Sequence, residues 1–279
     1  MAIVQMQRIN ICALKKNRKA ILERLQELGA MEIDIQLEDD NLGEKQDVAS
    51  SRALFERRAQ TADQALVILN TYVPEKKGML DSLAGKPLVE KELFEKAAEN
   101  QDQYMATASR IVTLDKQIAE SKAAVLKVQN QVEALAPWLS LTVPVSYTGT
   151  QKTAVLIGTM PNPQDQQSIL NLLAGAVPDV EAVDVELIST DKDFTYLAVI
   201  CMKQDAGKVE EVLRTGGFSK PSSPVQKIPE EYKKDLEAEI AKAQEQAKQL
   251  ESELTECAVS RQDLELISDY YRTRAEKYR

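Results

Sequence analysis

The stretch EALAPWLSLTVP, residues 133–144, decides how this chain folds. A long heptad-patterned segment runs into it from the N-terminal side. Ala97, Tyr104, Ile111, Ile118, Val125 and Val132 recur every seven residues, with Thr107, Leu114, Ser121, Val128 and Leu135 as companions. That is the narrow apolar seam of a helix built to lie against another helix. Pro137 disfavours an α conformation at Ala136, so the pattern predicts a helix from about 88 to 136. Trp138, the only tryptophan, is expected to fold back over the last turn and cover the end of the seam. A helix of that span is roughly 70 Å long at 1.5 Å per residue. Most of it overshoots any single small core, so the chain must come back along it.

Beyond the stretch, TAVLIGTMP reads as a strand and NPQDQQSILNLLAGAV as a helix, with Pro163 suited to its first turn. VEAVDVELIST and FTYLAVICM read as two strands joined by DKD, and AGKVEEVLRTGGF as a helix closed by Gly216 and Gly217. The order β-α-β-β-α predicts a ferredoxin-like lobe over 140–225 that lacks its last strand. After SKPSSP, Pro229 opens a second long helix over 229–279. Its seam is Leu236, Ala243, Leu250, Cys257, Leu264 and Tyr271, with Ile240, Ala247 and Leu254 as partners, and Arg261 and Ser268 spoil the pattern. Nothing in its last residues signals a stop. The two seams, Tyr104, Ile111, Ile118, Val125 and Val132 going out and Leu236, Ile240, Leu250, Leu254 and Leu264 coming back, predict an antiparallel coiled-coil rod.

Upstream, residues 2–14 read as a strand and residues 17–28 as a helix capped by Asn17, with Gly29 at its C′ position. AMEIDIQL alternates as a second strand. This β-α-β unit, 1–38, needs further strands to bury its faces. Residues 47–73 carry a third seam, Val48, Phe55, Ala62 and Leu69 with Ala59, Leu66 and Val73, whose direction relative to the rod the sequence leaves open. The outgoing helices of the rod therefore span 47–136. The expected fold is α+β: two small ferredoxin-like lobes joined by a long antiparallel coiled-coil hairpin, a dumbbell.

Composition agrees with helices rather than one thick core: 43% hydrophobic, 5% aromatic and 28% charged over 279 residues. A net charge of -9 argues against nucleic acid as the partner. The charge is uneven, with a basic excess in residues 1–35 and an acidic one in 151–220. Histidine is absent, which removes the commonest metal ligand and general base. Cys12, Cys201 and Cys257 form no close pair and read as plain buried thiols. No apolar run reaches the length of a membrane span.

Three stretches brush against chemistry. GMLDSLAGKP fails as a phosphate loop, because six residues separate Gly78 from Gly85 and Pro87 stands where Ser or Thr would meet magnesium. GTMPNP has too few free N–H groups for an anion site and reads as a tight turn. LEDDN, 37–41, reads as a solvated link rather than a cation site. No cofactor, metal or catalytic group is expected. One charge run stands out: Lys15, Lys16, Arg18 and Lys19 crowd the start of a helix, where the dipole disfavours cations. A solvated patch is the plain reading; the sharper one is a docking site for an acidic partner or anionic headgroups.

Taken together, MAIVQMQRINICALKKNRKAILERLQELGAMEI, LAPW, VLIGTMP, VEEVLRTGGF and the long return helix resemble the cytoplasmic N-terminal half of subunit I (subunit a) of vacuolar- and archaeal-type ATPases and ATP synthases, bacterial members especially. The resemblance covers essentially the whole chain and rests on order and spacing rather than on one motif. It implies two α/β lobes joined by a bent helical hairpin, with 1–36 in the membrane-proximal lobe and about 140–225 in the distal one. It implies a non-catalytic stator arm on the cytoplasmic side of the membrane, linking an ion-translocating membrane domain of the same full-length chain to peripheral-stalk and other collar subunits. The family's membrane helices and their translocating arginine have no counterpart within 1–279, so ion pumping falls on no residue here and the fragment is expected to be monomeric. Two other readings stand beside it: a small-ligand sensor built on the 140–225 lobe, and a free-standing coiled-coil tether.

Overall fold

The computed structural model describes residues 6–29, 31, 49–75, 89–222 and 224–278, with the side chains of residues 15, 19, 26 and 27 outside that description. In chain order the helices are α1 (Arg18–Leu28), α2 (Ala49–Tyr72), α3 (Lys91–Glu99), α4 (Gln101–Leu135), α5 (Gln166–Ala176), α6 (Ala206–Thr215), α7 (Pro229–Glu256) and α8 (Arg261–Glu276). The strands are β1 (Thr153–Pro161), β2 (Val183–Thr190) and β3 (Phe194–Met202). Two compact units emerge, Thr113–Glu256 and Met1–Val112 with Cys257–Arg279.

The first unit is built on an antiparallel sheet of order β1-β3-β2, the order a split β-α-β unit produces when the third strand enters between the first two. Leu156 stands opposite Val199, and Val185 opposite the same Val199 on the other side. Side chains alternate across the pleat. One face sends Ala154, Leu156, Met160, Val185, Leu197 and Val199 under α5 and α6, where Ile169, Leu173, Val209 and Leu213 meet them. The other face sends Ile157 and Ala198 against Trp138, Leu141 and Val145. The strand pattern is therefore near-continuous in β1 and β3, which are buried on both faces.

Two details explain how this sheet ends. Asp165 caps α5, so Pro163 lies before the helix and not in its first turn: the Asp165 carboxylate accepts from the Ser168 N–H, and this lowers its pKa. On the open edge of β1, Thr159 and Ser219 exchange both backbone hydrogen bonds at 2.9 Å, where a fourth strand would begin. The ladder stops there because Pro221, two residues on, has no N–H to give Ile157. Phe218 and Ser219 come so close to Gly158 that a Cβ there would sit 2.4 Å from the Phe218 ring.

The end of α4 differs from expectation. The α-helix stops at Leu135 and a 3-10 turn, Ala136–Trp138, follows. Trp138 does not fold back over the helical seam. It packs beneath the sheet, edge-on to Tyr196 with ring centroids 5.1 Å apart. The large apolar face of β1 and β3 outbids the narrow stripe of a helix end for the largest side chain nearby. Ser189 Oγ donates to the Pro137 carbonyl at 2.8 Å and Ser140 Oγ to the Ile188 carbonyl at 3.2 Å, tying this turn to β2.

Within the other unit the described residues are helical, and no α/β lobe is seen among them. Residues 6–14, expected as a strand, are exposed and form none. Among the described residues no ladder runs beside them, and a lone strand has nothing to hold it. Most of the second expected strand, LEDDN and the segment GMLDSLAGKP lie outside the described residues; Met31, described alone, is in no strand. Asn17 belongs to a 3-10 turn, Lys15–Asn17, and Gly29 takes the left-handed φ of 58° that ends α1.

Both long helices are interrupted. The expected helix over 88–136 is α3 and α4, parted at Asn100, whose Nδ2 donates to the Lys96 carbonyl at 3.0 Å. Asparagine competes for backbone groups in this way and so favours helix ends. The expected helix over 229–279 is α7 and α8, parted by a 3-10 turn, Cys257–Ser260, and α8 stops at Glu276. Thr255, Cys257, Val259 and Ser260 are all weak helix formers, and they cluster at this break. Replacing Trp138 with Ala removes the plug beneath the sheet. The expected loss is about 3 kcal/mol or more of unfolding free energy in urea titrations followed by circular dichroism; a loss well below that would place the support of this face elsewhere.

Candidate functional site

The helical unit is held by a seam in which apolar and polar residues alternate. α2 lays Ala59, Ala62, Ala65, Ile68 and Leu69 inward, and α8 lays Leu264, Ile267, Ser268, Tyr271 and Ala275 inward. The two run antiparallel, because Arg261 near the start of α8 meets Val73 beyond the end of α2, while Tyr271 meets Arg58 and Tyr278 meets Phe55. This gives α2 its direction relative to α8.

Arg261 and Ser268, which break the heptad, are buried in this seam. The Arg261 guanidinium donates to the Val73 carbonyl and lies 3.3 Å from the Glu75 carboxylate. A cation beside the last carbonyls of a helix satisfies orphan acceptors and suits the helix dipole. Ser268 Oγ donates to Asp63 Oδ1 at 2.6 Å, and Arg272 donates to Asp63 Oδ2 at 2.7 Å. Periodicity alone marks such residues as errors; their reach across to a carboxylate and a helix end is a tertiary property.

Tyr271 is fully enclosed. Its hydroxyl accepts from Arg58 Nη1 at 2.9 Å and donates to Gln101 Oε1 at 3.2 Å, joining α2, α4 and α8. Burial pushes its pKa up, against the opposing pull of Arg58. Around it, Phe55, Phe94, Tyr270 and Tyr278 form a chain of ring contacts 5.3–6.1 Å apart. Arg274 lies between the rings of Phe55 and Tyr270 and pairs with Glu23 of α1 at 3.1 Å. A chain with few aromatic residues has concentrated them here. The sequence scatters them over α2, α3 and α8, so no local pattern announces the cluster.

The basic run is placed in part. Lys16 and Arg18 are exposed, and the Arg18 guanidinium sits 6.0 Å over the Tyr278 ring; the side chains of Lys15 and Lys19 lie outside the description. Among the seam residues, Ile111, Ile118, Leu236, Leu254 and Leu264 are buried, whereas Tyr104, Val125, Val132, Ile240 and Leu250 are half-buried. Ala108, Leu114, Val128, Leu135 and Ala247 share the burial. Tyr104 hydrogen-bonds Asp263 of α8, and burial together with that carboxylate raises its pKa. In the sheet-bearing unit Lys122 of α4 lies 2.7 Å from Glu251 of α7.

The concave features carry paired charges. A groove of about 410 Å³ between α2 and α8 is lined by Arg52, Glu56, Asp63 and Arg272, and these already pair as Arg52–Glu56 and Arg272–Asp63. A groove of about 610 Å³ runs along α6, where Glu210 holds Arg214 and Lys220; the Lys220 hydrogen bond leads in lowering the Glu210 pKa. Among the described residues no group of His, Cys, Asp and Glu is arranged to hold a metal ion. Cys12 is exposed, contrary to the expectation of buried thiols, Cys257 is half-buried, and Cys201 is buried with its pKa raised by burial. No described helix is long and apolar enough to cross a membrane.

Neither protein-family profiles nor curated proteins match this chain. Among solved structures it is similar to a crystal structure of the cytoplasmic N-terminal domain of subunit I, a homolog of subunit a, of V-ATPase. The two share 17% identity over 94% of this chain and 82% of that one, with a TM-score of 0.49.

Tyr271 sets a prediction of defined sign. Its folded pKa lies above the unfolded value of about 10, so its contribution is fully present below pH 10 and is lost as pH rises through the folded pKa. Tyr271→Phe leaves Arg58 and Gln101 without the phenol, at an expected cost of about 1–3 kcal/mol at neutral pH in urea unfolding. The variant is also expected to show a shallower alkaline loss of stability than the parent; an identical alkaline profile would remove Tyr271 from this role.

Proposed function

We propose that this chain is the soluble arm of a rotary ATPase or ATP synthase of the vacuolar type: a non-catalytic, stationary element that ties a membrane ion-translocating part to peripheral stalks and resists the torque of the rotor. The reading rests on the residue-level resemblance to the N-terminal half of subunit I. The observation that carries it physically is α4, an unbroken helix of 35 residues. A single catalytic or ligand-binding core has no use for such an element; a strut has.

In this reading α4 and α7 bury each other's stripes as an antiparallel coiled coil. The 140–225 lobe is ferredoxin-like and distal, and the N-terminal residues belong to a membrane-proximal lobe. Lys122–Glu251 and the covered positions Ile118, Val128, Leu236 and Leu254 support the pairing of the two helices. The basic run Lys15, Lys16, Arg18 and Lys19 is the candidate docking patch for an acidic stalk or collar surface. The exposure of Lys16 and Arg18 supports that role.

Two measurements test this. Cysteines at Val125 and Leu250 are expected to form an intramolecular disulfide under mild oxidation, seen by mass spectrometry; absence of that bond and of those at adjacent registers would sink the paired-helix strut. Purified peripheral-stalk subunits of a vacuolar-type ATPase are expected to retain the chain in a pull-down. Charge reversal of Lys15, Lys16, Arg18 and Lys19 to Glu is expected to weaken that retention. Unchanged retention removes the patch, and no retention of the parent chain removes the stator reading.

A further inference from the structure

We propose that polar contacts, rather than apolar packing, choose the register in which α2 lies on α8, and that they exclude a second seating of α2 shifted by one helical turn. The inference is independent of the stator reading.

The apolar part of α2 discriminates poorly between neighbouring registers. Ala59, Ala62 and Ala65 are the buried residues of its middle, evenly spaced three apart. A shift of one turn sets one alanine where another stood, so the contour that α8 meets is nearly unchanged along this stretch. Ile68 and Leu69 at one end and the half-buried Phe55 at the other oppose the shift by size, but the middle of the seam does not. Small side chains make close helix approach easy and sliding easy for the same reason: they have no knob to lodge in a hole.

The polar contacts behave differently. They sit at three places along α2 and each is specific to one register. Arg58 reaches the buried Tyr271 hydroxyl, Asp63 accepts from both Ser268 and Arg272, and the Val73 carbonyl accepts from Arg261. A displacement of one turn, about 5.4 Å, breaks all three together. It leaves the partly enclosed Asp63 carboxylate and the buried Arg261 and Ser268 without these partners. Unmet buried polar groups are costly, so the interruptions in the heptad are what make one register win. The disposition of the residues fits this: each polar residue of α8 that departs from the apolar pattern on the seam, Arg261 and Ser268, makes one of the contacts.

Cross-linking reads the register directly. In the full chain with Cys12, Cys201 and Cys257 changed to Ala, one pair, A59C with A275C, reports the observed seating, since both residues line the same groove. A second pair, A62C with A275C, reports the seating shifted by three residues. Disulfide geometry is strict enough to separate the two. In the parent background only the first pair is expected to oxidise readily. In D63A/R261M the second pair is expected to form its disulfide as well, and D63E/R261K, which keeps a carboxylate at 63 and a cation at 261, is expected to shift the pattern back toward the parent's. Circular dichroism and cooperative urea unfolding verify that the variant is folded; if D63A/R261M is not, D63A alone is read in the same way. A folded variant that forms only the first disulfide overturns the proposal, because apolar packing then suffices to set the register.

Discussion

A narrow apolar stripe on a long helix is the constraint from which this structure follows. Such a stripe cannot stay in water, yet it is too thin to enclose a core of its own, so each helix must find another of matching length. In the helical unit α2 and α8 meet in this way. The chain's low aromatic content and high charge are the compositional side of the same constraint, since a two-helix seam needs few large side chains and leaves much surface to be solvated.

Thin seams have a weakness that the polar residues repair. Alanines bring α2 close to α8 but do not say where along it to sit, whereas Asp63, Ser268, Arg272 and Arg261 do. Tyr271 combines both functions, filling volume between the helices while its hydroxyl bridges Arg58 and Gln101. The sheet-bearing unit solves its problem by other means. Its strands β1 and β3 are buried on both faces, one under α5 and α6 and the other over Trp138, and on the free edge of β1 Pro221 keeps the bridge to Ser219 from growing.

Among the described residues no group of His, Cys, Asp and Glu is arranged to hold a metal ion. In the grooves Arg52 pairs with Glu56, Arg272 with Asp63 and Arg214 with Glu210, and the perturbed tyrosines are perturbed mainly by burial within helix seams or beneath a sheet.

Periodicity and punctuation were legible without coordinates. The order β-α-β-β-α over 153–215, the helical character of α2, α4 and α7, and Gly29 beyond α1 all follow from local patterns whose physics is local: alternation, heptads, a proline that ends a helix and a glycine that tolerates a left-handed turn. Other features were decided by residues far apart in the chain. The antiparallel seating of α2 on α8, the retreat of Trp138 beneath the sheet, and the use of Arg261 and Ser268 as contacts rather than flaws belong to this class. The strand expected at 6–14 shows the same division from the other side, because a β pattern states only a willingness to pair, and a partner has to be supplied by the rest of the fold.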